Sequence, residues 1–109
     1  MIAHVFRYAT NSHGKPAAQP IAGAHAGLAS FLTEEASWVD YADLLLDCVN
    51  EAKKTGKPQV NTGNAFVVTV DATRAVIEHL HKKGHPPVTV PVAIFAQAVG
   101  EWRDFLAKP

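Results

Sequence analysis

The chain has 109 residues, 48% of them apolar and 18% charged, with ten bases and ten acids for no net formal charge. These totals fit one globular domain over residues 1–109, and they exclude a disordered chain, a disulfide framework on one cysteine, and a strongly basic nucleic-acid binder. Nothing approaches the roughly 18 consecutive apolar residues of a membrane span, and the opening Met-Ile-Ala-His-Val-Phe-Arg lacks the basic head and apolar core of an export signal, so a cytoplasmic protein is expected.

Residues 1–9 alternate as a first strand, with Ile2, His4, Phe6 and Tyr8 on one side, and the turn-rich Thr-Asn-Ser-His-Gly-Lys-Pro run ends it at Pro16. Residues 17–30 are small and carry Gly23 and Gly27, without a clear period. They read as an irregular strand near 18–23 followed by a loop, with a short alanine-rich helix over 24–32 as the competing reading. The first main helix is plainer. Thr33 or Ser37 is its expected cap, and Ser37-x-x-Asp40 is close to a capping box. Glu34 and Glu35 suit its positive end, Lys53 and Lys54 its negative end, and Gly56 with Pro58 stops it. At about 100° per residue, Trp38, Tyr41, Ala42, Leu45, Val49 and Ala52 fall on the core side. Asp40, Asp43, Asp47 and Glu51 fall on the opposite side.

Residues 59–63 read as a polar lead-in to Phe-Val-Val-Thr-Val, a strand over 66–70. Asp71-Ala-Thr-Arg74 is a turn with aspartate at its first position, and 75–81 is read as the return strand, a helix being the alternative. Residues 82–87 form a loop around Pro86 and Pro87. Pro91 suits the start of a last helix over 92–106, with Phe95, Ala98, Val99, Trp102 and Leu106 on its core face and Ile94 and Phe105 widening it. Glu101 and Asp104 are expected to face water, with Arg103 at the flank. The expected fold class is α+β: a small antiparallel sheet of about four strands with two main helices packed on it.

The charges are unevenly spread. Residues 34–51 contain Glu34, Glu35, Asp40, Asp43, Asp47 and Glu51 and no Lys or Arg, a segment at −6; the remainder sets ten bases against four acids, at +6. Four of these acids form a stripe about three turns long. No base is interspersed to relieve their repulsion by i, i+4 pairing, which points to a basic partner surface.

Other constellations fall short of chemistry. His79, His81 and His85 invite a metal reading, because residues two apart on a strand share a face. A third ligand would have to come from the Gly-His-Pro loop, and no carboxylate completes the set that zinc requires, so no metal and no other cofactor is expected. Cys48 has no base or oxyanion donors placed beside it and reads as packing. Ser30 and Ser37 stand in no nucleophile elbow, and Gly23-Ala-His-Ala-Gly27 lacks phosphate-loop spacing. Lys53, Lys54 and Lys57, with Lys82 and Lys83, make two small basic clusters, too few for direct nucleic-acid binding at a pI near 7.0.

Gly63-Asn64-Ala-Phe66, Val70-Asp71, Ile77-x-x-Leu80, Val90-Pro-Val-x-x-Phe95 and Val99-x-x-Trp102-x-x-Phe105-Leu106 give the carboxy-terminal layout. It resembles small bacterial immunity proteins, including those of contact-dependent growth inhibition systems. The resemblance covers about the last 45 residues and implies a non-enzymatic protein that neutralises one cognate toxin domain, often a nuclease acting on tRNA or DNA. Nuclease clefts are basic for phosphate, so Asp40, Asp43, Asp47 and Glu51, joined by Glu34 and Glu35, are the expected partner-binding residues. The alternatives are a small metal-dependent enzyme using His79, His81 and His85, or a small nucleic-acid-binding regulator.

Overall fold

A computed structural model describes residues 3–81 and 84–108. Strands β1 (Phe6–Thr10) and β2 (Pro16–Pro20) form an antiparallel hairpin with Phe6 opposite Pro20 and Thr10 opposite Pro16. Its turn is fixed by Asn11, whose side-chain oxygen accepts the N–H groups of His13 (2.9 Å) and Lys15 (3.1 Å), while Gly14 takes a left-handed φ of 74°. Residues 3–5, expected inside the first strand, precede it. The loop reading of 24–32 gives way to helix α1 (Ala26–Glu34), entered through left-handed Ala22, Gly23 and His25. The strand and the helix of this region both exist, the strand ending earlier than expected at Pro20. Leu28, Ala29, Phe31 and Leu32 are the buried stripe that makes the helix worthwhile. Gly27 is required by packing rather than by φ, because a Cβ there would run into the Val88 side chain.

Helix α2 (Val39–Thr55) keeps its expected stop: Gly56 is left-handed and its N–H donates to the Ala52 carbonyl at 2.9 Å. Its start differs. Trp38 occupies the cap position with extended backbone, and no side chain caps the end. Thr33 lies inside α1, where its hydroxyl accepts the Ala18 N–H of β2 at 3.0 Å. Ala42, Leu45, Val49 and Ala52 are buried as expected, whereas Trp38 is 73% exposed. It sits before the first turn, beyond the edge of the surface that α2 covers.

The polar lead-in is itself a strand. β3 (Gln59–Thr62), β4 (Phe66–Val70), β5 (Arg74–His79) and β6 (Val88–Pro91) make a four-stranded antiparallel sheet in that spatial order. β3 was hidden because it is an edge strand whose inward residues are polar: Asn61 accepts the Tyr41 hydroxyl at 2.9 Å. The β4–β5 turn is built as expected, with Asp71 Oδ1 accepting Thr73 N–H (2.8 Å), Thr73 Oγ1 (2.9 Å) and Arg74 N–H (2.9 Å). β5 is a strand, ending at His79 rather than 81. Phe66, Val68, Val70, Ala75, Ile77 and Val90 alternate inward toward the helices.

β6 runs directly into α3 (Val92–Ala107), with Pro91 at the cap position. Val92, Phe95, Ala98, Val99 and Trp102 are buried, while Ile94, Phe105 and Leu106 lie half-buried against the core. Trp102 is the largest fully buried side chain, and its indole N–H donates to the Ala36 carbonyl at 2.6 Å. Truncating such a ring typically costs about 3–5 kcal/mol. The molecule is α+β: the four-stranded sheet, two main helices and a third short one on its inner face, and the β1–β2 hairpin against α1 and α3.

Candidate functional site

The six acids expected at a partner surface divide into two groups. Asp40, Asp47 and Glu51 are exposed on the outer side of α2, and among the described residues no base lies within 4.0 Å of any of them. Asp43 is half-exposed and paired: Arg103 Nε of α3 donates to its Oδ1 at 2.9 Å. Relief that the local sequence of α2 does not offer therefore comes from a neighbouring helix. Glu34, the last residue of α1, is exposed. Glu35 is spent internally, its carboxylate accepting the backbone N–H groups of Asn64 and Ala65 in the β3–β4 turn. Both glutamates stand at the C-terminal end of α1 and not at the start of α2. Gly63 belongs to the same arrangement, since a Cβ at that position would collide with the Glu35 carboxylate.

Leu44 is the apolar member of the acidic face. It is 43% exposed, four residues after Asp40 and three before Asp47, so helical geometry places it between them. The wheel drawn from sequence puts Leu44 on this side, so the signal was available. Trp38 was not legible in the same way, because its angle on the wheel is that of the core. With Glu35 and Asn64 it lines two hollows at the α2 N-terminus. The larger, about 590 Å³, is lined by Asn11, Lys15, Thr33, Glu34 and Asn64; the smaller, about 240 Å³, by Tyr41, Gly63 and Glu35.

Glu101 does not face water as expected. Its side chain is 15% exposed, and it accepts the Tyr8 hydroxyl (2.6 Å), the Val5 N–H (3.0 Å) and the Gln97 amide (2.9 Å), with His4 Nδ1 at 3.1 Å. Burial pushes its carboxyl up, yet the bonds from Tyr8, Gln97, Val5 and His4 outweigh that and hold it below the ordinary carboxylate range. Burial, reinforced by Glu101, lifts the Tyr8 phenol far above its usual value. Tyr41 is pushed up to about 12 by burial, with Glu35 and Cys48 adding to it. The Cys48 thiol is raised by burial and by Asp47, the wrong direction for a nucleophile.

The histidines separate. His79 lies against both Phe66 and His85 in tilted ring contacts, with centroids 4.5 and 4.7 Å away, and both histidines line a cavity of about 400 Å³ with Ser30 and Glu34. His81 is exposed and does not line that cavity. Among the described residues no three His, Cys, Asp or Glu side chains come together in a group able to hold a metal ion. Lys53, Lys54 and Lys57 are exposed near the end of α2, and the second basic cluster, Lys82 and Lys83, lies outside the described residues. No helix among the described residues is long and apolar enough to cross a membrane. No known protein family, curated protein or solved structure matches this chain.

Proposed function

We propose that this chain is a non-enzymatic binding protein of the immunity type, which neutralises a basic toxin domain, a nuclease, by covering its phosphate-binding cleft. The observation that carries the reading is Leu44, exposed among Asp40, Asp47 and Glu51, none of which has a neighbouring base among the described residues. Unpaired acids on one helix face repel one another, and a basic partner removes that penalty while the field speeds encounter. An apolar residue inside a charged surround is the arrangement in which binding energy concentrates, because the surround keeps water from the buried contact. Trp38 stands exposed at the Asp40 end of the same helix and lines a hollow with Glu34.

The contact set is Asp40, Leu44, Asp47 and Glu51, with Glu34 at the end of α1 and Trp38 at the start of α2. Asp43 acts through its pair with Arg103, and Glu35 acts on the β3–β4 turn. The test is a nuclease assay with the toxin domain encoded beside this gene, run with wild-type protein and with D40K/D47K. Stoichiometric inhibition by the wild type is expected, with the double variant folded and its inhibition weakened at least about tenfold at low salt. Equal inhibition by both proteins would discard the acidic face, and no inhibition by the wild type would discard the immunity reading.

A further inference from the structure

The sheet has a second face that no helix among the described residues covers. Pairing registers and alternation place Val60, Thr69, Val76 and Thr89 in one row across β3, β4, β5 and β6, all pointing away from the helices. Val60 is 64% exposed, and the row carries no charge. Solvated faces of antiparallel sheets normally read as polar and charged. Among the described strand residues of this face the charged ones are Arg74 and Glu78, both on β5 and both exposed, two positions to either side of Val76. At about 3.3 Å per residue they stand some 13 Å apart along the strand.

That spacing is self-complementary. A twofold axis lying along the Val60–Val76 row, between two copies stacked face to face, reverses the direction of β5 in the second copy. Val76 then meets Val76 of the other copy, Arg74 lies over Glu78, and Glu78 over Arg74. Sheets stacked about 10 Å apart with strands near −30° displace these partners only slightly, within reach of an arginine and a glutamate side chain. Asp71, already 3.7 Å from Arg74 in its own chain, stays beside the same guanidinium. A twofold parallel to β5 would instead stack arginine on arginine, so the charges select one arrangement.

We infer that the outer face of the β3–β6 sheet is an isologous interface, and that its occupant is a second copy of this chain. The acidic face of α2 lies on the other side of the molecule and stays free in both copies, so the inference is independent of the proposed toxin binding. Sedimentation equilibrium of the full chain tests it. The expected mass is twice 11.7 kDa at micromolar concentration, and R74E or E78R alone raises the dimer dissociation constant by about tenfold or more, because each sets like charges face to face. The R74E/E78R double variant restores the pairing and the dimer. Far-ultraviolet circular dichroism of each variant checks that the fold persists, and V76K, which drives a charge into the centre, gives a second route to a monomer. A wild-type chain that stays monomeric to hundreds of micromolar overturns the inference, as does a dimer indifferent to R74E, or a double variant no better than the single ones.

Discussion

Glu101 shows how one residue can reverse the reading its neighbours suggest. Its position on the α3 wheel is a water-facing one, yet β1 passes over it, and the carboxylate collects the Tyr8 hydroxyl, the Val5 N–H and the Gln97 amide. Gln97 also donates to the Ala3 carbonyl at 2.7 Å, so the pair ties the start of the chain to its last helix. Hydrogen bonds to a charged acceptor are worth about 1.5–3 kcal/mol where solvent is largely excluded. E101Q keeps the shape and removes the charge, and is expected to lose about 1–2 kcal/mol at pH 7. The pH dependence has a definite sign. The folded carboxyl is held below its unfolded value of about 4.3. Its contribution is therefore complete above that value and is lost as pH falls through the lower folded one. Thermal melts of both proteins from pH 7 to pH 3 should show the gap closing only below about pH 4. A gap unchanged at pH 3 would mean that Glu101 acts by shape alone.

Among the elements, the start of α2 separates a cap by sequence from a cap in fact. Ser37-x-x-Asp40 has the form of a capping box, but Trp38 takes the cap position and Ser37 is exposed beside it. Thr33, the other candidate, holds the β2 backbone at Ala18. T33V is expected to cost about 1 kcal/mol by leaving the Ala18 N–H without its acceptor, and S37A less than about 0.5 kcal/mol. Urea titrations of the two variants would decide it; a larger loss for S37A would restore the capping box. Long periodic elements were legible for a physical reason. α2, α3 and β4 each bury one face, so their own residues carry the pattern, and Asp71 fixes its turn through local bonds. The others depend on neighbours. β3 pairs polar residues with β4 and α2, and α1 opens on small residues without a clear period, with Gly27 leaving room for the Val88 side chain of β6. The acidic stripe was legible as a pattern, but the Asp43–Arg103 pair and the turn held by Glu35 join residues 60 and 29 positions apart. No window of sequence contains both partners.

Over the whole molecule, a net charge of zero conceals a strong polarity. Arg103 neutralises Asp43, Glu35 is enclosed by a turn, and Asp40, Asp47 and Glu51, with no base beside them among the described residues, lie together on one side of α2. Two different quantities should then report the two parts of this face. Charges act over about a Debye length, near 8 Å at physiological salt, so under the proposed function Asp40, Asp47 and Glu51 would accelerate the approach of a basic partner before contact. In the proposed complex Leu44 would act only after desolvation, once contact is made. Stopped-flow association with the proposed toxin partner should therefore slow in D47K and lose much of its salt dependence, with a smaller change in dissociation. L44A should leave the association rate within about twofold and speed dissociation at least about tenfold, since truncation of a buried anchor acts mainly on the off-rate. Raising ionic strength from 50 to 500 mM should slow wild-type association and leave the effect of L44A unchanged. If L44A slowed association as D47K does, the leucine would be part of the approach path rather than the anchor, and the contact would have to be sought around Trp38.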